Sequence, residues 1–139
     1  MADHTYNVIK TIYDALIGET NVTDLVPAAS IFSGAVDPDT SYPYIVISRV
    51  ESEPWDTKDV EGQTFFVQIN FYSRAGGIVE GVNIREAIYE TLHRQTGITV
   101  PSGTVLIDIV HDTLSALELQ TDGVTFEGVL RFKLTVQAS

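Results

Sequence analysis

The sequence contains no cysteine, which excludes disulfide bridges and thiolate metal centres. It is also poor in positive charge. Lysine and arginine total 8 against 19 aspartates and glutamates, a formal net charge of −11. A surface of that sign repels a phosphate backbone, so broad nucleic-acid binding is not expected. No apolar run approaches the roughly 18 residues that a membrane helix needs. The start, Met-Ala-Asp-His-Thr, lacks the basic-then-apolar order of a secretory signal. What is present is an ordinary globular composition, 139 residues with 44% hydrophobic. That is enough for one domain, residues 1–139, burying roughly two-thirds of its unfolded surface.

The strongest pattern is the stretch Val124–Gln137. Val124, Phe126, Gly128, Leu130, Phe132, Leu134 and Val136 alternate with Thr125, Glu127, Val129, Arg131, Lys133, Thr135 and Gln137. A period of two predicts a strand with one face in a core and one in water. The run is long for a strand, and Gly128 is expected to mark a bulge or bend.

Earlier in the chain, Asp3 or Thr5 can cap a first helix. It carries Val8, Ile9, Ile12, Tyr13 and Leu16 at helical spacing and stops at Gly18. Asn21–Val26 suggests a further turn of helix begun by Thr23 and stopped before Pro27. Ile31 and Phe32 suggest a short strand, and 33–43 a loop. Tyr44–Glu53 reads as a strand with Ile45 and Ile47 on one face, Val46, Ser48 and Val50 on the other, and Pro54 as its end. Gln63–Ser73 reads as a second strand with Phe65, Val67, Ile69 and Phe71 on one side. Between them, 51–62 reads as the polar tip of a long projecting hairpin. A second helix is predicted from about Gly77 to Gln95, with Gly81, Ile84, Ile88 and Leu92 as its apolar stripe and Gly97 as its stop. Val105–Asp112 and Ala116–Thr121 are strand-like. Asp122-Gly123 is a two-residue hairpin signal. A register set by that turn places Leu119 opposite Phe126, Leu117 opposite Gly128 and Asp112 opposite Lys133. It also sets Glu118 against Glu127, a repulsive pair that a bulge near Thr113–Ser115, or a cation from another chain, would relieve. The predicted class is α+β: a mainly antiparallel sheet, two α-helices packed on one face and a long projecting hairpin.

Reactive chemistry is hard to find. His4, His93 and His111 have no metal-ligand spacing. Asp108 and Asp112 share a strand face from which His111 points away. The segment Ser73-Arg74-Ala75-Gly76-Gly77 leads into a helix but lacks the residues of a nucleotide loop. No nucleophile elbow or triad stands out. The expectation is a protein without enzymatic activity, cofactor or metal. Trp55 is the feature left over. It either folds back over its own core or anchors a neighbouring chain. In the second case Glu51, Glu53, Asp56, Thr57, Lys58, Asp59 and Glu61 supply an interface rim.

One order of segments carries a resemblance. An amphipathic first helix precedes Ile31-Phe32, then Tyr42-Pro43-Tyr44-Ile45-Val46-Ile47-Ser48, then Pro54-Trp55-Asp56-Thr57-Lys58. Val67-Gln68-Ile69-Asn70-Phe71-Tyr72-Ser73-Arg74 comes next, before a helix, and an alternating strand closes the pattern. This resembles the tail-completion, or tail-terminator, family of long-tailed bacteriophages and gene-transfer agents. The resemblance implies a structural virion protein, assembled in the host cytoplasm. It would form a homo-hexameric ring on the head-proximal end of the tail tube. The ring would end tube polymerisation, with the tube protein and a head-side connector or stopper as partners. DNA would pass through its lumen without specific binding, and no membrane would be involved. The alternatives are another head-tail connector or tail-tube component of related fold, or a small enzyme or ligand-binding domain.

Overall fold

The computed structural model describes residues 4–37, 39–56, 61–74, 78–95 and 98–138; for residues 56 and 113–115 it describes the backbone alone. The elements are α1 (Thr5–Gly18), α2 (Thr20–Thr23), a 3₁₀ turn (Ala28–Ser30), β1 (Ile31–Ser33), β2 (Tyr44–Asp56), β3 (Glu61–Ser73), α3 (Val79–Leu92), β4 (Thr104–Leu119) and β5 (Phe126–Ala138). The strands form one sheet in the order β1-β2-β3-β5-β4. Only β1, against β2, is parallel; the other pairings are antiparallel.

Periodicity explains which surfaces meet. Val8, Ile12 and Leu16 of α1 and Ile84, Ile88 and Leu92 of α3 lie on single helix stripes. They share a core with Phe65, Val67, Ile69 and Phe71 of β3 and Leu130, Phe132, Leu134 and Val136 of β5. Those strand residues alternate, so they occupy one sheet face, and both helices cover that face. Each fully buried Leu, Ile or Phe contributes about 1.5–3 kcal/mol. The α+β class and the antiparallel sheet with its helices on one face therefore stand as expected. No helix among the described residues is long and apolar enough to cross a membrane.

Local details depart from the sequence reading. The N-cap of α1 is His4, whose side chain makes no capping bond; it is tied instead to the sheet. Its backbone N–H donates to Gln63 Oε1 at 2.9 Å and its Nδ1 lies 2.6 Å from Thr104 Oγ1. α2 starts at Thr20 rather than Thr23, because the Glu19 side chain caps Asn21 N–H. Ser48 is a bulge, since Ile47 faces Ile69 while Arg49 faces Gln68. The extra residue reverses the facing of the remainder of the strand. Val50 then faces Val67 and packs against the core, not on the opposite face. Pro54 does not end β2 but faces Gln63 within it. There β2 has outrun the three residues of β1, so it is an edge strand that tolerates proline. The hairpin pairs down to Asp56 and Glu61, and β5 accompanies β3 as far as Gly62.

α3 is shorter than 77–95. It closes through Arg94, which takes the left-handed φ of +57°; Gly97 lies outside the described residues. The turn after β4 is wider than two residues. Gln120 N–H donates to the Thr125 carbonyl, Asp122 accepts from Val124 and Thr125 N–H, and only Gly123 has positive φ there. Val124 consequently falls outside β5 and is exposed. The expected Leu119–Phe126, Leu117–Gly128 and Glu118–Glu127 pairs are present. A register shift between His111 and Ser115 then moves Lys133 opposite Val110, so Asp112 does not face it. Gly128 marks no bulge, being in regular register with Phe71 and Leu117. A side chain there would overlap the Phe71 ring. Close approach, not bending, is its role.

Candidate functional site

No helix among the described residues covers the other face of the sheet, and its charged and aromatic side chains fall into two groups. At the hairpin end, Trp55 faces Gly62 across the β2–β3 ladder. The indole lies on that glycine so closely that a Cβ at Gly62 would overlap the ring. Trp55 is therefore a strand residue half-buried on its own sheet, not a loop residue. Its Nε1–H is buried without a partner among the described residues. Glu53, opposite Thr64, is exposed two pairs further along. Glu51 is already engaged by Arg49 Nε at 2.6 Å and lies 3.9 Å from Arg131 Nη2. The Arg131 guanidinium sits over the Phe66 ring at 4.8 Å. Its Nε lies 3.1 Å from Asp112 Oδ2, an ionic contact not aligned along the N–H. Asp56 ends β2 and only its backbone is described; Thr57, Lys58 and Asp59 lie outside the described residues.

At the opposite end of this face, Tyr44 stacks on Tyr72 with centroids 4.8 Å apart. Tyr42 leans on Tyr44, and the Arg74 guanidinium caps Tyr42 at 4.1 Å. The Tyr72 hydroxyl donates to Glu127 Oε2 at 2.7 Å. Burial, and then the carboxylate it binds, push the Tyr72 phenol well above its ordinary value. Asn70 Nδ2 reaches the same carboxylate at 3.4 Å, and its Oδ1 accepts from Ser48 and Gln68. Glu118 faces Glu127 across β4–β5. Sequence spacing conceals this assembly, because its members come from four strands or strand ends.

On the helix side, a cleft of about 450 Å³ is lined by Arg85, Glu86, Tyr89, Glu90, His111 and Leu130. His111 N–H donates to His93 Nδ1 at 2.9 Å, and Tyr89 stacks on His93 at 4.6 Å. Two histidines 18 residues apart thus meet, which the sequence did not indicate. Burial, then the neighbouring His93, hold the His111 imidazole below its usual value. The contact fastens the end of α3 to β4. Among the described residues no three His, Cys, Asp or Glu side chains are grouped to hold a metal ion. Asp108, His111 and Asp112 do not converge, since His111 pairs in register with core-facing Phe132 while Asp112 contacts Arg131 on the open face.

Comparison with known proteins adds the identity of the fold. A chain from the virion of a native gene transfer agent particle superposes with a TM-score of 0.85 at 12% identity, covering 99% of each chain. The bacteriophage SPP1 gp17 protein superposes with a TM-score of 0.58 at 20% identity, covering 97% of this chain and 96% of that one. At such identities these two likenesses show a shared fold. No curated protein matches the chain by sequence. The family model described as tail completion protein gp17 matches residues 10–137. The chain belongs to that tail completion family, a family of structural virion proteins, and its role is a structural one in a phage-type tail.

Proposed function

We propose that the protein forms a ring on the head-proximal end of the tail tube, ends tube polymerisation there and presents the joint to the head connector. The observation that carries this reading is an open sheet with two unlike edges in a tail-completion chain. One edge is β4. The other is β2 where it outruns the short β1. Unlike edges at opposite ends of a sheet favour head-to-tail contacts, which close into rings when the rotation permits. The net charge of −11, repeated around a lumen, would let DNA slide past without being gripped.

Trp55, with Glu53, Asp56, Thr57, Lys58 and Asp59 around it, is proposed to brace the neighbouring subunit or the tube. One face of the indole already rests on Gly62, so the side chain is preorganised and loses little freedom on docking. Trp55→Ala should weaken ring formation or tail joining about tenfold or more and leave the circular dichroism spectrum unchanged. Unimpaired assembly by this variant would remove the anchor. Mass measurement in solution, then electron microscopy of labelled protein on purified tails, tests the ring and its position. Label anywhere but the head-proximal tip would refute the reading.

A further inference from the structure

Eight large apolar side chains are exposed among the described residues. Four of them, Ile78, Val79, Leu119 and Val124, fall at one end of the sheet. Several contacts define that end. Ser73 closes β3 and faces Phe126, the first residue of β5, while Leu119, the last of β4, faces Phe126 from the other side. Ser73 Oγ is hydrogen-bonded to Glu80 Oε1 at 2.6 Å, which fixes the first turn of α3 above the strand ends. Gly81 lies against Leu117, two residues from Leu119. Ile78 and Val79 therefore enter α3 at the end of the sheet where β4 finishes with Leu119, and Val124 sits on the adjoining hairpin. Several large apolar groups exposed at one end of a sheet are a candidate interaction surface.

The charge at this end indicates the partner. Glu118 and Glu127 face each other on the open side of the same strand ends. Glu127 has Tyr72 and Asn70 as hydrogen-bond donors, but among the described residues no cation pairs with either carboxylate. Facing like charges are destabilising within the chain. A second copy is poorly suited to neutralise them. It has eight lysines and arginines, and four of them, Lys10, Arg49, Arg74 and Arg131, are already paired with carboxylates of their own chain. The chain as a whole is strongly acidic.

We infer that this end of the sheet is a docking surface for a different protein, one that lays apolar side chains on Ile78, Val79, Leu119 and Val124 and inserts a lysine or arginine between Glu118 and Glu127. The inference rests on the assembly role proposed above, because the partner is then another tail or connector component. Glu118→Lys separates docking from folding, since the two respond with opposite sign. Within the chain it replaces a repulsive cross-strand pair with an attractive one, so the melting temperature rises. At the interface it opposes the partner's cation, so attachment to purified tails lacking this protein weakens about tenfold or more. Leu119→Ser with Val124→Ser, checked for folding by circular dichroism, gives a comparable loss. Attachment of Glu118→Lys equal to that of wild type would overturn the surface. Loss of self-association by Glu118→Lys, seen in sedimentation, would overturn the choice of a different protein in favour of a second copy. Failure of the wild-type protein to attach would refute the assembly role instead.

Discussion

Gly128→Ala adds one methyl group where the Phe71 ring already lies. Gly128 faces Phe71 in the β3–β5 ladder, and a Cβ there would overlap the far ring atoms Cζ, Cε1 and Cε2. Phe71 is fully buried, so its ring has no free direction of retreat. Forcing extra volume into a filled core costs about 1–3 kcal/mol, and confinement argues for the upper end. Alanine recovers about 0.5–1 kcal/mol of the intrinsic penalty of glycine within a strand. The net loss is then about 2 kcal/mol, or roughly 7 °C in melting temperature at this chain length. Urea titration monitored by circular dichroism reads it directly. Phe71→Leu removes the three overlapping atoms, so Gly128→Ala should cost about 1–2 kcal/mol less in that background than alone. If Gly128→Ala matches wild type, or if the two costs simply add, the close-approach argument is wrong.

Gly62→Ala tests the other close glycine contact. It should lift the only tryptophan off the sheet, shifting its emission to longer wavelength at a stability cost of about 1 kcal/mol; unchanged emission would disprove the stacking. Asp122 tests the hairpin turn by pH. The Thr125 hydroxyl first, then the Val124 and Thr125 N–H groups, hold its carboxyl down to about 2. That value lies below the unfolded one, near 3.9, so the stabilisation is complete above about pH 4 and is lost as pH falls towards 2. Asp122→Asn should therefore melt below wild type at pH 7, with the gap closing on acidification through that window. A gap that stays constant, or none at pH 7, would refute the turn's role.

The sequence was most informative where side-chain periodicity and burial act together. Leu130, Phe132, Leu134 and Val136 alternate without interruption and are buried as their period requires. Gly81, Ile84, Ile88 and Leu92 likewise mark the covered stripe of α3. Legibility fails where one extra residue resets the phase. Ser48 is such a residue, and it carries Val50 to the core; the shift between His111 and Ser115 takes Asp112 from Lys133 and leaves it beside Arg131. It fails again where a glycine makes room for a distant ring, as at Gly62 and Gly128, because nothing local names the occupant. Of the candidate site, Trp55 was visible as a lone aromatic among charges, but its seat on the sheet was not. The Tyr42, Tyr44, Tyr72 and Glu127 group was missed because only the register of several strands brings it together.

The strand order also governs when the domain can fold. β5 comes after every other strand in the chain, yet it lies between β3 and β4 in the sheet. During synthesis β3 and β4 therefore wait with their facing edges bare, and the β2–β3 hairpin has no neighbour on its inner side. The helices meanwhile cover only part of a floor. Emergence of β5 closes both gaps in one step, so an interrupted chain that lacks it would be a sticky half-sheet, prone to clump with its like before assembly begins.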